Sequence, residues 1–276
     1  MSLDQSAIQE ITNTAITASA VNILDLEQAD FKAVIIPEDA KIQTLEKLQQ
    51  YRNRFIGCMK TNSIEDFVTY STSTKNESVK CFVSHESMSA MTFFNIGDED
   101  KPGHADNTAL LDLKATSEFI SVLKLNDNAV SQKTLAEWLE DWRSNIVAFD
   151  ADDNAIDFKV AVNAIRKLTI ESSRKSEHEV SDMKASRSLL ENVEAKSTEG
   201  LPAYFTFMCT PYHGLAVRVF TLRLSVLTGG DEPRFKARIV QLEAIEEQIT
   251  EEFKNLLVGK FEGSEVKTFI GKFSLN

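Results

Sequence analysis

Apolar residues recur at three- and four-residue spacing at the start of the chain. Ile8, Ile11, Ala15 and Ala18 form one stripe, and Ile16 widens it. That period predicts a helix over 5–24. The stripe is thin and rich in Ala, so the helix is marginal alone and needs a partner surface. That surface is either the chain's own core, the preferred reading, or a neighbouring subunit, which would make 1–24 an oligomer arm.

The pattern then changes. FKAVIIP (31–37) reads as a strand closed by Pro37, KIQTL (41–45) as a short extended piece, and 46–51 as a helical turn. RFIGCMK (54–60) alternates as a strand. Ser63 opens a capping box in SIED, which starts a helix over 64–70 with Ile64, Phe67 and Val68 on one face. KCFVS (80–84) and SAMTFFNI (89–96) form a hairpin, GDEDKPG (97–103) a loop and ALLDLKA (109–115) a half-buried strand. Thr116 or Ser117 caps a helix through Leu123. Ser131 caps a helix over 132–146 that buries Leu135, Trp138, Leu139 and Trp142. FDADDNAID (149–157) reads as a linker by its acidity. A helix over 156–165 follows, then three polar strand-like pieces at 167–173, 177–183 and 186–195.

The last third carries the clearest strand signal. PAYFTFMCTP (202–211) and LAVRVFTLRLSVL (215–227) are joined by the turn Tyr-His-Gly. In the second, both faces begin apolar, so its first half is expected to be covered on both sides. RFKARIVQL (234–242) is a third strand, 243–257 a helix packed through Ile245, Ile249, Leu256 and Leu257, and 265–273 a closing strand. The fold class is therefore α+β. A mixed half over 25–148 precedes an antiparallel, β-rich half with a packed helix over 155–276. Whether the halves are two domains or one continuous domain stays open.

Composition adds limits. The 276 residues are 42% hydrophobic and 26% charged, enough for a sizeable core. No apolar run approaches the roughly 20 residues that span a bilayer, and the N-terminus has no basic or apolar leader pattern. Neither a membrane partner nor a secretory leader is expected. Cys58, Cys81 and Cys209 make no CxxC pair and are expected to be reduced thiols in a cytoplasmic protein. The net charge of −12 is uneven: residues 1–150 carry 23 acidic against 13 basic residues, and 151–276 carry 19 against 17. The first half repels nucleic acid at long range, whereas the second can hold a local basic patch.

Candidate chemistry is sparse. No phosphate-binding glycine loop, zinc-protease HExxH or nucleophile elbow occurs. His104 and Asp106 in GHADN have the look of a metal or acid/base pair, with His85 as the one nameable third ligand; a Pro-Gly turn in which Asp106 or Asn107 bonds its own backbone is the preferred reading. His213 sits in a tight turn where Gly214 supplies the geometry. Glu137, Glu140 and Asp141 flank Trp138 and Trp142 and are read as a solvated helix side. The sequence identifies no catalytic set, metal site or cofactor. Arg218, Arg223, Arg234, Lys236 and Arg238 form the densest basic set. The last three project from one face of a strand, and at most one of Arg218 and Arg223 can join them. Basic strands interleaved with aromatics can hold single-stranded nucleic acid; cross-strand pairing with nearby carboxylates is the default.

Four pieces in order resemble the YfdQ-like family of prophage and phage proteins, a domain of unknown function. They are AVIIPEDAKIQTLEKL, RNRFIGCMKTNSIEDFV, PGHADNTALLDLKAT and SQKTLAEWLEDW, with a looser likeness in the C-terminal strands. The resemblance implies a phage-encoded protein of the host bacterial cytoplasm and supplies no activity. The leading expectation is a non-enzymatic protein that self-associates into a homo-oligomer, with Ile8, Ile11, Ala15, Ile16 and Ala18 as its candidate interface. The alternatives are an acidic interaction protein aimed at a host factor and an accessory factor that holds single-stranded nucleic acid.

Overall fold

The computed structural model describes residues 4–23, 50–52, 54–74, 79–168, 200–227 and 233–274. The expected strand over 31–37, the extended piece 41–45, most of the 46–51 turn and the three polar pieces between 169 and 199 lie outside them. Contacts divide the chain into two units, Met1–Phe55 and Ile56–Asn276.

The first unit holds helix α1 (Gln5–Ile23). Asp4 starts it: its carboxylate accepts the Ala7 N–H at 2.8 Å and the Ser6 hydroxyl at 2.6 Å. These bonds hold the Asp4 pKa below its usual value, the Ser6 hydroxyl contributing most.

The second unit contains two sheets. The first has five strands: β1 (Gly57–Thr61), β2 (Lys80–Ser84), β3 (Ser89–Phe93), β4 (Asn107–Asp112) and, from near the C-terminus, β11 (Lys267–Ile270). Their order is β1-β4-β3-β2-β11, with both outermost pairs parallel and the rest antiparallel. The expected hairpin is β2–β3, turned by a short 3-10 segment and Met88 at φ 49°. Helix α2 (Ile64–Ser73) begins where the capping box placed it, with Ser63 Oγ accepting the Asp66 N–H at 3.2 Å. Between α2 and β3, the buried Ser71 and Thr92 hydroxyls satisfy each other at 2.9 Å.

The second sheet has six antiparallel strands in the order β5-β10-β9-β8-β6-β7. They are β5 (Ala129–Ser131), β6 (Ile146–Phe149), β7 (Ala155–Ile156), β8 (Tyr204–Cys209), β9 (Arg218–Leu227) and β10 (Arg234–Ile239). Alternation decides its two faces. Phe205, Phe207, Phe220, Leu222, Phe235 and Ala237 are fully or almost fully buried on one side. Against that side pack α3 (Ser117–Leu125), α4 (Gln132–Asp141) and α5 (Phe158–Lys167). Thr116, not Ser117, caps α3, and its hydroxyl donates to the Thr210 carbonyl at 2.7 Å, tying the helix start to the end of β8. Trp138 stacks near Phe207 (5.4 Å between centroids), and its Nε1–H donates to Ser121 at 2.8 Å, so its polar handle is satisfied. Helix α6 (Leu242–Phe261) packs on β2, β11 and α2 through Ile249, Phe253, Leu257 and Phe261.

Two expectations change. The helix from Ser131 ends at Asp141; Arg143–Asn145 is a 3-10 turn and Ile146 already belongs to β6. Apolar spacing runs on through Trp142, but Ile146 and Ala148 are needed as sheet residues. The acidic stretch 149–157 is no linker. It closes the β6–β7 hairpin: Asp150 accepts the N–H groups of Asp152 and Asn154 at 2.9 and 2.8 Å and the Asn154 side chain at 3.1 Å. Both sheets draw strands from either side of that turn, and one continuous core runs under them.

Candidate functional surface

The outward face of the six-stranded sheet is the most informative surface. Helices α3, α4 and α5 pack on its opposite side. Pairing registers place Arg238, Arg223, Tyr204 and Phe149 in one row across four strands. Towards one end of the strands lie Lys236 and Ser225, then Arg234 and Leu227. Towards the other lie Thr221, Thr206 and Val147, then Val219 beside Met208. Val147, Met208 and Val219 are 47%, 52% and 55% exposed, and Val217 just ahead of β9 is 55% exposed. The expectation that β9 is covered on both sides therefore fails for the single chain: its outward apolar residues face solvent.

The basic residues separate by role. Arg218 points to the inner side and pairs with Glu252 of α6 at 2.5 Å. Lys236 pairs with Asp127 at 3.0 Å, and Arg234 donates to the Ala129 carbonyl. Arg223 and Arg238 are direct cross-strand neighbours, and neither guanidinium makes an ion pair or hydrogen bond among the described residues. Like charges placed so repel.

The far edge of the same face is acidic. Tyr204 stacks on Phe149 with centroids 5.0 Å apart and planes 7° apart, and its hydroxyl donates to Asp153 at 2.8 Å. That bond, with the charges of Asp153 and Asp150, raises the Tyr204 pKa above its usual value. The Asn154 contacts hold the Asp150 pKa low, so it stays ionised.

The other candidates fall elsewhere. His104 is exposed; Asp106 accepts from Asn95 Nδ2 at 2.8 Å, and its carbonyl accepts the Gly57 N–H at 2.9 Å, a structural tie between β1 and the loop before β4. No group of three metal-ligating side chains is found among the described residues. His213 is exposed in its turn, where Gly214 has φ +92°. Glu140 pairs with Arg166 at 2.8 Å, and Glu137 with Lys133 at 3.8 Å. On α1, Ile8, Ile11 and Ile16 are 53%, 58% and 37% exposed, and Ala15 and Ala18 are exposed too. Sequence reasoning missed Val147, Phe149, Tyr204 and the aspartates of the hairpin. The alternation of 204–209 carried part of that signal.

A separate open cavity of about 510 Å³ lies where α3 and α6 approach the 3-10 segment. Met88, Phe119 and Ile249 line it beside Glu86, Glu243 and Glu247. Its Tyr212 has a raised pKa, first from burial and then from Glu246.

A family profile for an uncharacterised conserved protein family, DUF2303, matches residues 4–273. The chain belongs to that family. The match spans both units, so the sheets and α1 are all within the conserved protein. No curated protein and no solved structure matches the chain. No helix among the described residues is long and apolar enough to cross a membrane.

Proposed function

We propose that this DUF2303 protein is a non-enzymatic, phage-encoded component of the bacterial cytoplasm that acts by self-association. The phage context rests on the likeness of four segments to the YfdQ-like prophage proteins. Self-association rests on one observation: half-exposed Val147, Met208, Val217 and Val219 lie side by side on an uncovered sheet face. A monomer gains by burying such a face, at roughly 25 cal/mol for each Å² of apolar surface removed from water. The exposed stripe of α1 supports the same reading as a second contact. Polar clusters that could suggest chemistry are engaged in structural bonds: Asp106 with Asn95, Glu140 with Arg166, Arg218 with Glu252. Light scattering on a sizing column should give a mass of two chains or more at micromolar concentration. A single-chain mass over that range would refute the proposal.

The acid-lipped cavity favours a second reading, the docking of a basic segment from a host protein. Its apolar floor suits the stem of a Lys or Arg and its rim suits the charged head. Lysine at Glu243 and Glu247 should then abolish capture of a basic host protein at low salt. Unchanged capture would remove this reading.

A further inference from the structure

We infer that copies of this chain meet through the outward face of the six-stranded sheet, paired by a two-fold axis parallel to its strands. This rests on the self-association reading and names the surface and symmetry.

Across the sheet the order is β5-β10-β9-β8-β6-β7, so β10 lies at one side and the β6–β7 hairpin at the other. Along the strands, Arg238 is level with Phe149, because both belong to the row that runs through Arg223 and Tyr204. Lys236 and Arg234 continue from Arg238 in the direction in which β6 runs on into Asp150, Asp152 and Asp153. The basic row and the acidic turn therefore sit at the same end of the sheet on opposite sides. A two-fold axis along the strands exchanges the sides and keeps the level. It sets the arginines of each copy over the aspartates of the other, twice. The same operation, with its axis along β8, sets Met208 of one copy over Met208 of its partner and brings Val147 of each beside Val219 of the other.

Both halves of this pattern are needed. Arg223 and Arg238 repel each other within one chain and lack a partner among the described residues, so they favour an anion from outside. The half-exposed valines and methionine favour a protein surface over a phosphate backbone, and Asp153, held on the same face by the Tyr204 hydroxyl, repels nucleic acid. An isologous interface requires one patch that complements itself, and this face does so in charge and in apolar position.

The test is a charge-swap series on the full chain by sedimentation velocity, with circular dichroism as the check on folding. Arg238→Glu and Asp153→Arg should each weaken self-association about tenfold or more, since each change occurs twice in a symmetric pair. The double variant should return to within about threefold of wild type, because the swapped charges again oppose. Folded single variants that associate as wild type overturn the face while leaving self-association standing. A double variant weaker than either single variant overturns the two-fold arrangement. A wild type that is monomeric, yet binds an oligonucleotide and loses it in Arg238→Glu without rescue by Asp153→Arg, overturns both this inference and the reading beneath it.

Discussion

Replacing Glu252 by Ala should destabilise the second unit by about 2–3 kcal/mol. The carboxylate of Glu252 has two partners. One oxygen lies 2.5 Å from the Arg218 guanidinium, and the other accepts the Ala216 N–H at 2.7 Å. Both side chains of the pair are about three-quarters buried, at 21% and 24% exposure, and Arg218 Nε is already buried without a hydrogen-bond partner among the described residues. Breaking a buried pair from one side costs about 3–5 kcal/mol because a charge is left uncompensated. Residual solvent contact lowers that to about 2–3 kcal/mol. For a unit of this size the loss corresponds to about 4–12 °C in Tm. Arg218→Met/Glu252→Ala removes both charges at once and should recover most of the loss that follows from leaving Arg218 unpaired. Thermal unfolding of the four members of the cycle, followed by circular dichroism, measures it. A fall below about 2 °C in Glu252→Ala would refute the reasoning, as would a double variant whose loss equals the sum of the singles. None of these variants should alter self-association, because Arg218 lies on the helix-covered side of its strand.

Thr116→Val should cost about 1–2 kcal/mol in urea unfolding, since it removes the cap of α3 and the bond to Thr210 together; a neutral effect would mean that water replaces both. Gly214→Ala should lower Tm, because a side chain there takes φ +92° and meets Ile64 Cδ1 at 3.1 Å; an unchanged Tm would show that the turn shifts freely. Burial pushes the Cys81 thiol, and burial with the nearby Glu118 charge the Cys209 thiol, up to about 12, whereas Cys58 is exposed. A folded pKa above the usual thiol value leaves both groups protonated at pH 8, with thiolate of about one part in ten thousand. A thiol reagent at pH 8 should therefore modify one cysteine quickly, and the other two only after unfolding or as pH rises towards 12. Three fast thiols would contradict the buried positions.

Local signals in the chain reported local structure well. Ser63 and Ser131 start their helices because a hydroxyl followed by an apolar period has one efficient use, and the alternation of 204–209 and 218–227 gave sheet faces directly. Misreadings arose where composition stood in for bonding. Asp150, Asp152 and Asp153 have the acidity of a linker, but Asp150 closes a hairpin through three hydrogen bonds that composition does not encode. The end of α4 was hidden because Trp142 keeps the helical period while Ile146–Phe149 is too short to show a strand of its own. Pairings between distant segments, such as β11 beside β2, have no local signature. The candidate surface was half legible. Basic residues on alternating positions were visible, as was the two-faced strand. Register alone puts Arg223 beside Arg238 and the aspartates level with them across the sheet, and it sends Arg218 to the other side.

The outward sheet face is proposed to be buried between copies of this chain. Sedimentation equilibrium of wild type and Val219→Glu, across the micromolar range and with folding checked, tests it most directly. A self-associating wild type and a folded variant that sediments as a single chain are the expected results. A variant that associates as strongly as wild type would contradict that burial.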